Sequence, residues 1–212
     1  MSTDKITYAA LKGAVTAAAL SLTAAGWLGW SLGPEALVGH AYWNLSRAAG
    51  LVGYTLLWLS VVAGLLLSGR MARQNLSPKT VMALHQTLSG SALAFAFFHA
   101  LVLTGDRYLN LSLAQILVPL ASPYQRLWVG AGQLALVLLS AIAVSSHWRR
   151  RFGNKVWRLL HKSAFATYWL VLAHAIVVGS ESTVPLVTLY YAFTATTVMW
   201  LTTSRILIRE GS

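Results

Sequence analysis

Two stretches decide how this chain is read: LHQTLSGSALAFAFFH at 84–99 and LHKSAFATYWLVLAH at 160–174. Apart from Lys162, neither contains a formal charge. Each carries one histidine near its start and one at its end. His85 and His99 are fourteen residues apart, and His161 and His174 are thirteen apart. An ionisable side chain inside a long apolar run is costly, and marks a functional site by default if that run crosses a membrane.

The rest of the chain says that it does. Of 212 residues, 57% are hydrophobic and only 10% are charged, against roughly 25% charged in a soluble domain. Stretches without Asp, Glu, Lys or Arg cover 13–33, 48–69, 80–105, 127–146, 163–180 and 182–204. Each approaches the ~20 residues that a helix needs to cross the hydrocarbon core. Backbone groups in lipid must pair internally, so the economical fold is all-α, a six-helix membrane bundle forming one domain over 1–212. A β-barrel would alternate in polarity, which these runs do not. The first stretch belongs to the regular series, and a cleaved signal peptide is not expected.

The net charge of +11 would suggest nucleic acid in a soluble protein, but here the basic residues lie between spans and none is expected to bind nucleic acid. With both termini in the cytoplasm, thirteen Lys and Arg fall inside, including the run Arg149–Arg151, and only Arg47, Arg107 and Arg126 fall outside. That asymmetry orients the bundle, and a bacterial inner membrane is the expected setting. The outer connection 106–126 is itself apolar, with Leu109, Leu111, Ile116 and Leu117. It is expected to lie on the membrane surface or to cap the bundle.

The third and fifth stretches both run outward, so His85 and His161 share an inner layer and His99 and His174 an outer one. At ~1.5 Å per residue the layers are roughly 20 Å apart. Two facing histidines can supply both axial ligands of a haem iron. The angular test is half met: fourteen residues return to within about 40° of the starting face, whereas thirteen miss by about 140°. Tilt, side-chain reach or a π-bulge would have to absorb that difference. The competing interpretation is histidines used for packing. With no Cys in the chain and no acid in the spans, a zinc or di-iron shell is not expected. A proton relay usually recruits Asp or Glu as well. His40 and His147 fall in loops.

The segments RAAGLVGYTLLWLSVVAGLLLSGR, HQTLSG with FFH, PLASPYQRLWVGAGQLAL and RRRFGNKVWRLLHKSAFATYWLVLAH resemble the ferric-reductase-like transmembrane domain family. Its members include NADPH oxidases, ferric reductases and the haem-binding subunit of the periplasmic methionine sulfoxide reductase system. The resemblance runs from about Arg47 to Ser182. It implies two b-type haems, with His85, His99, His161 and His174 as the iron ligands. No GxGxxG is present, and the chain ends eight residues past the last stretch. Hydride would therefore not be taken from a nicotinamide directly.

The expected function is electron relay across the bilayer, from a separate reductase, ferredoxin, flavoprotein or quinol to an extracytoplasmic protein, metal chelate or oxygen. A flavin or quinone is expected on the donor side. The alternatives are the sulfoxide reductase subunit, and a non-redox transporter or haem-handling scaffold. For haem propionates the candidate cations are Arg70, Arg73, Arg158 and Lys162 inside, and Arg107 and Arg126 outside. Topology or lipid contact explains each equally well. Gly50, Gly53, Gly64 and Gly90 would admit a macrocycle or simply pack helices. Thr87, Ser89 and Ser163 are candidates for orienting the imidazoles. Phe95, Phe97, Phe98, Phe165, Tyr168 and Trp169 would line the haem faces or fill the core.

Overall fold

The computed structural model describes residues 3–31, 41–68, 77–106 and 109–210. Regular structure among them is entirely helical. Helix α1 spans Thr3–Ser31, α2 Ala41–Ser68 and α3 Pro78–Val102, the last running into a 3-10 turn at Leu103–Gly105. A short α4, Leu113–Leu117, precedes α5, Arg126–His147. Then follow α6, Arg149–Lys162, α7, Ala164–Val178, a 3-10 turn at Ser180–Thr183, and α8, Pro185–Glu210. Prolines sit where they cost least, Pro78 and Pro185 at the first positions of α3 and α8.

Among the described residues, four helical segments are long and apolar enough to cross a membrane: Tyr8–Leu28, Ala41–Ser68, Pro78–Gly105 and Arg126–His147. The fifth and sixth apolar stretches are also helical, but they differ from these four. At fifteen residues, α7 is about 22 Å long, short of the ~30 Å hydrocarbon core. Helix α8 intersperses Thr188, Thr194, Thr196, Thr197, Thr202 and Thr203 among its apolar residues.

Helix α2 is the centre of the packing, with α1, α3, α7 and α8 all against it. Its Tyr54, Leu57 and Val61 join Leu88, Ala92 and Phe95 of α3, Tyr168 and Leu172 of α7, and Tyr191 and Val198 of α8 in one core. Large apolar side chains also face outward, among them Leu20, Leu127, Leu186 and Leu207. An outer surface of that kind suits lipid rather than water.

The stretch containing His161 and His174 is not one helix. It breaks at Ser163, whose N–H donates to Leu160 O at 3.0 Å, a tighter i→i+3 turn. The Ser163 hydroxyl donates to the same carbonyl at 2.6 Å. His161 therefore ends α6 while His174 sits on α7. This break, rather than a π-bulge, accommodates the thirteen-residue spacing. Helix α6 is strongly amphipathic, buries none of its residues, and is itself kinked at Gly153 (φ 80, ψ 158). That backbone region is essentially open to glycine alone.

Candidate functional site

The four histidines meet in two pairs. In the inner layer the rings of His85 and His161 have centroids 6.0 Å apart and an interplanar angle of 74°. In the outer layer His99 and His174 are 6.2 Å apart at 79°. All four are half-buried.

Three of the rings are fixed by the backbone of a neighbouring helix. His85 Nδ1 donates to Ser60 O at 2.9 Å, His99 Nδ1 to Ser46 O at 2.8 Å, and His174 Nδ1 to Trp128 O at 2.9 Å. A carbonyl can only accept, so Nδ1 carries the proton and Nε2 keeps its lone pair for another partner. The serine hydroxyls reinforce this arrangement. Ser46 Oγ donates to His99 O at 3.0 Å, and Ser60 Oγ lies 3.2 Å from His85 Nδ1 and 2.6 Å from Ser89 Oγ. His161 differs. Its Nδ1 is buried without a hydrogen-bond partner, and its ring stacks on Trp157 at 5.0 Å and 26°.

Glycines make room for these rings. A Cβ on Gly50 would stand 2.8 Å from His99 Nδ1, one on Gly132 2.8 Å from His174 Nδ1, and one on Gly64 3.3 Å from His85 Cε1. Of the other expected small residues, Gly53 packs on Phe95, and Gly90 faces open space. Ser89 joins the Ser60 network, while Ser163 bonds Leu160 O and Thr87 Oγ1 has no partner.

The outer pair opens on a cavity of about 210 Å³, lined by His99, His174, Tyr54, Gln133, Arg47 and Glu181 among others. Arg47 and Glu181 form an ion pair, and Asn44 Oδ1 accepts from Arg47 Nη1 at 3.4 Å. Counting charges treats Arg47 only as an outside residue, so its position in the cavity is new. Arg126 is exposed, donates from Nε to Leu120 O at 2.9 Å, and is not among the cavity-lining side chains. Arg107, Arg70, Arg73 and His40 lie outside the described residues. Arg158 and Lys162 are exposed on α6.

The 106–126 connection closes one end of the cavity through Leu109, Leu111, Gln115, Ile116, Ser122 and Tyr124. A reciprocal Ser112–Gln115 capping box starts α4. Buried Gln133 of α5 then holds the segment from beneath. Its Nε2 donates to Gln115 O at 2.7 Å and Ile116 O at 3.0 Å, and its Oε1 accepts from Leu120 N at 2.9 Å.

A family model described as "Domain of unknown function (DUF8596)" matches residues 41–181. The chain belongs to this family. The DUF8596 region begins with α2 and ends at Glu181, so it takes in all four histidines, the three glycines beside them and both members of the Arg47–Glu181 pair. It leaves out α1 and α8. No curated protein and no solved structure matches the chain.

One metal between two imidazoles sets a distance that the donor atoms must meet. A metal–nitrogen bond of about 2.0 Å on each side puts the two Nε2 atoms about 4 Å apart and the ring centroids about 6 Å apart. Both pairs meet that distance, and the Nδ1–carbonyl bonds leave Nε2 free in three rings of four. No group of three or more His, Asp or Glu is assembled among the described residues; each pair could offer a metal two imidazole ligands.

Proposed function

We propose that this chain is a b-type cytochrome of the membrane that relays single electrons between two haems. His85 and His161 would ligate the inner haem, and His99 and His174 the outer. The observation that carries this reading is the pairing of four histidines at 6.0 and 6.2 Å in two layers of a charge-poor bundle. The reading includes six spans with both termini cytoplasmic. When bound, haem supplies reversible one-electron chemistry at iron.

The protein's part is placement. Carbonyls of α2 and α5 hold three imidazoles with Nδ1 protonated, which would leave each Nε2 lone pair available to the iron. Arg47 and Glu181 put charge at the outer cavity, where Arg47 is suited to a propionate. Arg158, Lys162 and Arg149–Arg151 give α6 an exposed basic face for an acidic electron donor. The connection pinned by Gln133 lines the cavity beside the outer pair, so an acceptor would approach this segment.

Purification in detergent from cells supplied with haem tests the reading. Oxidised and dithionite-reduced absorption spectra are expected to show low-spin haem at about two equivalents per chain, two being the number of histidine pairs. His99→Ala and His85→Ala should each remove predominantly one. A colourless protein would refute the proposal, and loss of neither haem in the two variants would refute the ligand assignment.

A further inference from the structure

Three of the four imidazoles are held in one way, and the fourth is not. For His99, His85 and His174 the accepting carbonyls belong to Ser46, Ser60 and Trp128, and in each case glycine stands four residues later, at 50, 64 and 132. The pattern has a physical basis. A helix carbonyl at i already accepts from the N–H at i+4. A second donor comes in from the side, over residue i+4, where a Cβ would crowd the ring, at 2.8 Å for Gly50 and Gly132 and 3.3 Å for Gly64. On α2 the device appears twice as S-x-x-A-G, in SRAAG at 46–50 and SVVAG at 60–64. The repeat of fourteen equals the His85–His99 spacing on antiparallel α3.

Fourteen residues beyond Trp128 and Gly132 the same register reaches Ile142 and Ser146, where α5 passes the Trp157–His161 stack. Here the device is missing. Ile142 O is taken by the Ser145 hydroxyl at 3.0 Å. Position 146 is serine, and its hydroxyl accepts from Trp157 Nε1 at 3.2 Å. His161 is left on a helix that buries none of its residues, with Nδ1 unpartnered.

Resting on the haem reading above, we propose that the three carbonyl–glycine notches make His85, His99 and His174 permanent ligands, whereas His161 is exchangeable. The inner haem is then a binding site for small neutral or anionic iron ligands of the carbon monoxide and cyanide class. Loss of the hydrogen-bond partner of a ligating histidine typically weakens metal binding 10–100-fold. Only one of the four ligands starts with that handicap.

Carbon monoxide titration of the dithionite-reduced holoprotein in detergent tests this. Binding to about one of every two haems is expected. It should persist in His99→Ala, which keeps the inner pair. His161→Ala should retain the inner haem on His85 and bind carbon monoxide more readily, whereas His85→Ala should lose that haem. A two-haem preparation inert to carbon monoxide overturns the proposal and leaves the electron-relay reading standing. So does carbon monoxide binding that disappears in His99→Ala while the inner haem remains. A colourless preparation defeats both.

Discussion

Gly50 and Gly90 show how the same residue type can have opposite value in one bundle. A methyl group on Gly50 meets the His99 ring, whereas one on Gly90 meets nothing within 4 Å. Gly90→Ala should therefore stabilise the protein by about 0.5–1 kcal/mol through helix propensity alone. Gly50→Ala should cost about 1–3 kcal/mol through overpacking and, if His99 ligates a haem as proposed, alter the electron paramagnetic resonance of that haem. Thermal melts and low-temperature spectra of the two variants check the contrast. Equal effects at both positions would dismiss the idea that Gly50 seats the ring. The histidines could be read from the sequence because an ionisable group in an apolar run stands out. Their anchors could not, because a backbone carbonyl is present at every position. What identifies the useful ones is the glycine four residues on. Gly50 and Gly64 stood out as small residues, but Gly132 did not.

At the scale of elements, the sequence defines helices well and their interruptions poorly. The stretch 163–180 carries no Asp, Glu, Lys or Arg, and nothing in its composition places a break at Ser163. The break depends on a local hydroxyl–carbonyl bond that competes with the helix ladder. Charge-free stretches also say little about how a loop is held. The 106–126 connection has an apolar pattern, but its position rests on Gln133, a buried polar residue in the middle of α5. Gln133→Ala would leave two carbonyls and one N–H of the cap without their partner, at a cost of about 1–3 kcal/mol. Limited proteolysis should then cut the connection faster, while helix content stays unchanged. An unchanged cleavage rate would show that Gln133 does not hold the cap.

For the molecule as a whole, the basic residues and the apolar helices make separate statements. The helices establish all-α architecture with four segments fit to cross a membrane. The orientation proposed from the charge asymmetry can be tested directly because the chain has no cysteine. Single cysteines introduced at Ser112 and Lys155 should react differently with a membrane-impermeant maleimide in intact cells, Ser112 labelling and Lys155 remaining protected. Labelling in the reverse order would invert the bundle and exchange the inner and outer layers. Electrostatic pairing at the ends of the bundle was less legible. Arg47 and Glu181 are far apart in sequence and come together only through packing of α2 beside the turn after α7.

The repeated notch on α2 sets a length as well as an orientation. Both of its copies lie on one uninterrupted helix, and both of their histidines on another. The separation of the two layers on this wall is therefore fixed by fourteen steps of helical rise, about 21 Å, and does not depend on loops or side-chain rotamers. Electron tunnelling falls exponentially with distance, so a transfer rate is only as constant as the gap it crosses. If the two layers hold haems as proposed, the α2–α3 pair is a ruler for that gap. On the opposite wall, divided at Ser163, no single helix sets the spacing.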